Sequence, residues 1–298
     1  MADIRTTIML ASLSISFPEM RKNAKQEAMK IESDSGAKTG TVTAAKHYMA
    51  GVTEHKKIKD YAAMIRAKWN QLTLPWFDGR GAPRAFNALA AMDLQSQVGA
   101  WEREYFELVE EFMPKYPVIR AQSQFDMGAL FDPKDFPPPN ELRRKFGFRT
   151  GWYALPDAND IRVMKGVDEK QLQTMADQAV ARERVQLERA MGDAARKLYK
   201  VVKSMHDTMA IPNGEKGGKF NPSKLENILA MAELIPQLNL TNDPKLAALA
   251  KEAKKLATKS PDELRDDDVK RKAAAKEAQT LATKLAGMFA AEDDGEDE

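Results

Sequence analysis

From Asp168 to Met209 no proline interrupts the chain, and Leu187, Met191, Leu198, Val201, Val202 and Met205 recur at helical spacing. This pattern predicts one long helix, with Arg182, Arg184, Arg189, Arg196, Lys197, Lys200 and Lys203 left to solvent. A chain of 298 residues, 43% of them hydrophobic, is long enough to build a real apolar core around it, as one large domain or two smaller ones. The chain has no cysteine, which excludes disulfides, thiolate nucleophiles and cysteine-based metal sites.

Strand signals are few. Leu13, Ile15 and Phe17 alternate with Ser14 and Ser16, the two-residue period of a half-buried strand that Pro18 ends. Residues 19–31 read as helical, and 33–43, with Gly36 and Gly40, as a loop or short hairpin. Ile58, Tyr61, Ile65 and Trp69 line one face of a helix over 54–72, and Lys56, Lys57, Lys59, Arg66 and Lys68 fill much of the rest. After the turn at Asp78–Gly81, Pro83 is expected to open a helix running to about Met113, which Pro114 and Pro117 stop. Four prolines between Phe131 and Asn140 predict a rigid connection. Residues 145–164, with Phe146, Phe148, Trp152 and Tyr153 among glycines, are the best candidate for a short sheet, with Ile161–Met164 as its second arm.

Beyond Ile211, the glycines around Lys216 and Lys219 predict a flexible basic loop. Helices are expected at 223–234 and 244–257. Ser260 and Glu263 form a capping box for a last helix to about Phe289. The expected fold is α+β, predominantly helical with a small antiparallel sheet. Its organisation is a mixed domain over 1–210, a helical region over 211–290 and an acidic tail over 291–298.

The formal charge of +2 conceals an asymmetry, because Glu292–Glu298 hold six carboxylates and the rest of the chain sets 46 basic against 38 acidic residues. The tail reads either as a solubilising end or as a competitor for a nucleic-acid groove. The N-terminal apolar stretch is too short to span a bilayer and lacks the order of a cleavable signal, so the cytoplasm is the expected location and no membrane partner is expected.

Catalytic signatures are scarce. Gly214–Lys219 is followed by Phe220 and follows no strand, unlike a phosphate-binding loop. His47, His55 and His206 make no i,i+4 pair suited to zinc, and Asp266–Asp268 lies where carboxylates cap a helix. The expectation is a non-enzyme with no cofactor and no metal.

Single-stranded nucleic-acid binding needs cations for phosphates and aromatics for bases. The candidates are Lys56, Lys57, Lys59, Arg66 and Lys68, followed by Trp69, Trp76, Phe77 and Arg80; then the Arg143–Tyr153 segment, above all Arg143, Arg144, Lys145, Phe148, Arg149 and Trp152; then Lys216 and Lys219; and on the last helix Lys270, Arg271 and Lys272. Trp101, Tyr105 and Phe112 are expected in the core instead.

The cysteine-free basic body, the Arg143–Arg149 stretch and the tail from Glu292 to Glu298 resemble the single-stranded-DNA-binding RNA polymerase cofactors of short-tailed bacterial viruses that package an RNA polymerase. The resemblance implies a non-catalytic protein without an OB-fold, acting in phage transcription or replication by coating single-stranded DNA and helping a phage-encoded RNA polymerase at melted promoters. Self-association stays open. Leu72–Trp76 and the Phe131–Pro139 segment resemble, alternatively, phage proteins encoded near AAA-type ATPases, which implies an adaptor or structural interaction protein partnering such an ATPase.

Overall fold

The computed structural model describes residues 4–49, 51–79, 81–157, 168–212, 215–216 and 218–289. It is an α+β fold, predominantly helical, with a small antiparallel sheet that does not close into a barrel. Two compact units divide the chain: Met1–Leu13, Lys68–Gln95 and Thr150–Glu298 form the first, and Ser14–Ala67 with Ser96–Arg149 the second.

The four-stranded sheet has the order β4 (Leu74–Pro75), β5 (Arg84–Asn87), β1 (Ile8–Ser16), β6 (Gly147–Ala154). In the first unit Leu10 pairs with Ala85 and Met9 with Phe86, and Leu74 pairs with Ala85 from the other side. Ile8, Leu10, Leu74 and Ala85 are buried in one apolar cluster with the helices α6 (Glu169–Ala210), α7 (Ser223–Leu238), α8 (Pro244–Ala257), α9 (Pro261–Asp266) and α10 (Asp268–Ala286). The helix α6 has 42 residues and is therefore about 60 Å long at 1.5 Å per residue. Small side chains allow close packing between α6 and α10: Ala190, Ala194 and Ala195 on one, Ala274 and Ala278 on the other, all buried.

Caps set the helix starts. Asp168 accepts from the Lys170 amide, Asp243 from Lys245, and Ser260 from Glu263. The last helix expected from Ser260 is two helices, because Asp267 is extended (φ −117°, ψ 104°) and its carboxylate accepts from the Val269 and Lys270 amides at 2.9 and 3.0 Å, starting α10 anew. The same helix ends at Ala286, short of Phe289.

The second unit packs part of α2 (Thr53–Leu72) and α3 (Ala91–Phe112) with α1 (Lys25–Ser35), α4 (Tyr116–Met127), α5 (Pro139–Arg143) and the hairpin of β2 (Arg21–Asn23) with β3 (Ala45–His47). Ile58 and Ile65 of α2 and Trp101, Tyr105 and Phe112 of α3 are buried as expected, whereas Tyr61 is half-buried and its hydroxyl donates to Glu104. The Tyr105 hydroxyl donates to the Ser16 carbonyl and that of Tyr116 to Pro137. Buried Glu32 accepts from the Gly40 and Val42 amides, closing the loop after α1, and Asp135 accepts from Lys22 while pairing with Lys46.

Three local expectations are corrected. Arg84–Asn87 form β5, because pairing on both sides with β4 and β1 outweighs helical spacing, so the helix expected from Pro83 begins at Ala91. Pro117 does not stop a helix but lies in the first turn of α4, where the missing amide has no partner to lose. Residues 21–23 pair as β2, which delays the helix expected at 19 to Lys25 and carries it on to Ser35. The strand arm expected at Ile161–Met164 lies outside the described residues.

Candidate nucleic-acid interface

The Arg143–Arg149 segment is built on a simple division of labour. Leu142, Phe146 and Phe148 are buried, at 0%, 6% and 7% exposure, whereas Arg143, Arg144, Lys145 and Arg149 are exposed. Phe146 sits 5.9 Å from the ring of Phe112, and Phe148 6.0 Å from that of Tyr105. Tight turns bring the Lys145 amide to the Leu142 carbonyl and the Phe146 amide to that of Arg143. The backbone is thus pinned from beneath, and cations project from it on a fixed base.

Those cations are not equivalent. Arg143 pairs with Glu110 on α3. Arg144, Lys145 and Arg149 have no carboxylate partner among the described residues. A shallow concavity beside Arg103 on α3 is lined by Glu102, Glu107, Glu110 and Glu111, so the neighbouring surface repels anions.

On α2, Lys56 pairs with Asp60 at 2.8 Å, while Lys57, Lys59 and Lys68 are exposed without an ion pair among the described residues. Arg66 is half-buried: it donates to the Ile15 carbonyl at 2.8 Å and lies 5.3 Å over the Phe17 ring, which makes it a brace between α2 and β1. In the first unit, Lys216, Lys219 and Lys272 are exposed, and Lys270 pairs with Glu263 at 2.7 Å. Of the cations without an ion pair among the described residues, the second unit holds Lys57 and Lys59 on α2, Arg144 and Lys145 on the turn after α5 and Arg149 on β6, and the first holds Lys68, Lys216, Lys219 and Lys272.

Some expected DNA contacts are corrected. Phe148 has its ring in the core and presents no face to a base. Arg271 is 2% exposed, with Nε facing the Met209 carbonyl and Nη2 set among those of Thr208, Ile211 and Gly218, so it holds the C-terminal end of α6 and cannot meet a phosphate. Trp152 is half-buried, with its ring edge-on to Phe86 at 5.8 Å. Its neighbour Tyr153, the last residue of the candidate segment, is 47% exposed, whereas the candidate aromatics Trp69 and Trp76 lie in the core at 4% and 2% exposure and Arg80 lies outside the described residues.

Polar groups inside the units serve structure. His55 is buried with Nε2 2.8 Å from the Pro18 carbonyl, and burial pushes its pKa below 6.5. His206 Nδ1 lies 3.0 Å from the Ala275 carbonyl, and His47 is exposed. Lys197 donates to the carbonyls of Asn70 and Thr73 at 2.7 Å and pairs with Asp193; burial lowers its pKa. No group of three metal-ligating side chains occurs among the described residues, and none of their helices is long and apolar enough to cross a membrane.

No family model, curated protein or solved structure matches the chain.

Proposed function

We propose that the chain binds single-stranded DNA without catalysing a reaction on it, in phage transcription or replication, where it helps a phage-encoded RNA polymerase engage melted promoters. The observation that carries this reading is the set of exposed cations Arg144, Lys145 and Arg149, without an ion-pair partner among the described residues and anchored by buried Leu142, Phe146 and Phe148. A phosphate that meets such a cation displaces condensed counterions without first breaking a protein ion pair, and the rigid base limits the entropy lost on binding. Arg143 and Lys56, already paired, contribute less. Titration of a labelled single strand and its duplex tests the reading, through strand preference and salt dependence.

One observation favours a second reading, an adaptor or structural interaction protein whose partner is an AAA-type ATPase. Val118 and Phe125 on α4 are 72% and 80% exposed, and Val118 lines a groove with Tyr48, Ile119, Met127 and Leu130. Exposed apolar side chains beside a groove suit a protein contact. Such a partner would be bound with little dependence on salt.

A further inference from the structure

Tyr153 is one of two consecutive aromatics on β6, and the two are held in different ways. Trp152 is packed edge-on to Phe86 and half-buried. Tyr153 has no aromatic partner among the described residues, is 47% exposed, and lies across Gly151 with its Oη 3.4 Å from Ser12 Oγ. Glycine at 151 makes this possible. A Cβ there would sit 2.2 Å from Tyr153 Oη, 2.6 Å from its Cζ and 2.8 Å from Ser12 Oγ. The missing side chain therefore leaves room for the end of the phenol ring at Gly151, and Tyr153 stays 47% exposed.

We infer that the Tyr153 ring, laid over Gly151, is a stacking platform for one unpaired base of single-stranded DNA. The inference rests on the proposed function and supplies the aromatic surface that buried Phe148 and packed Trp152 do not. An aromatic face attracts any base, because every base has a π-face, so the platform adds affinity without reading sequence.

The test compares the full chain with Tyr153→Ala, Tyr153→Phe and Gly151→Ala, using a fluorescein-labelled oligothymidylate of about 30 nucleotides and thermal unfolding as the control for folding. Loss of one stacked base is expected to weaken binding by roughly tenfold in Tyr153→Ala, with the dependence of log K on log salt unchanged because no phosphate contact is removed. Tyr153→Phe keeps the ring and is expected to bind as the parent does. Gly151→Ala displaces the ring and is expected to bind like Tyr153→Ala while still folding, since the clash is with the end of a rotatable side chain. A second readout is positional: 5-iododeoxyuridine in the oligonucleotide is expected to crosslink to Tyr153. A parent chain that binds no single strand overturns both the proposed function and the platform. A parent that binds, with Tyr153→Ala unchanged and the crosslink elsewhere, overturns the platform alone.

Discussion

Arg271 donates through Nη2 to the carbonyl of Thr208 at 3.0 Å, placing a buried guanidinium on the C-terminal end of α6. That end carries carbonyls without helical partners and the negative pole of the helix dipole, so a cation there satisfies both. The acceptors are backbone oxygens of α6, Ile211 and Gly218, which ties α10 to the chain that leaves α6.

Replacing Arg271 with Met strands these carbonyls. The expected loss of unfolding free energy is about 2–4 kcal/mol, read as a lower urea midpoint with an unchanged slope. Affinity for single-stranded DNA, measured below the unfolding transition, is expected to stay at the parent value. A loss of affinity with stability intact would return Arg271 to the DNA interface.

Arg144, Lys145 and Arg149 are expected to behave in the opposite way. Each change to Ala leaves stability nearly untouched, because the side chains are exposed and unpaired among the described residues. Each is expected to reduce the slope of log K against log salt by about 0.7 for a single strand. Arg143→Ala should reduce it less, since Glu110 already neutralises that cation. Equal slopes for the parent and the triple variant would remove these cations from the interface.

His55 couples stability to pH. Burial lowers its folded pKa beneath the unfolded value of 6.5, so the unfolded chain takes up the proton first as pH falls. The stability from neutral His55 is fully present above about pH 6.5 and is lost as pH drops toward the folded pKa. Urea unfolding between pH 7.5 and 5 is expected to show that decline, and His55→Gln to flatten it. An unchanged slope in the variant would place the titration elsewhere.

Much of the architecture was legible, and the failures have physical causes. α6 was readable because unbroken helical spacing over so long a stretch leaves no competing structure, and Ser260 because its hydroxyl does accept from Glu263. The serine alternation found the C-terminal half of β1, and the glycine-aromatic run found β6. β5 was not readable, because Phe86 fits a helical stripe and only the partners β1 and β4, distant in sequence, make it a strand. At the site, sequence named the basic segment but could not separate its aromatics: Phe146 and Phe148 are sunk by contacts with Phe112 and Tyr105 on another element, whereas Tyr153 is left out. Arg271 looked like any helix cation, and only the end of α6 above it makes it an interior residue.

Removal of residues 292–298 takes away six carboxylates, which a competing tail would set against phosphate for the same cations. Truncation is expected to tighten single-strand binding at low salt and to matter little at high salt, where screening weakens the competition. Equal or weaker affinity at low salt would contradict a competing tail.

The most direct test is fluorescence anisotropy of a labelled single strand of about 30 nucleotides and its matched duplex, titrated with the full chain at low and moderate salt. Tight binding that favours the single strand and weakens steeply with salt is the expected result. Absence of binding to either nucleic acid would contradict DNA binding and bring forward the exposed apolar face of Val118 and Phe125 as the working surface.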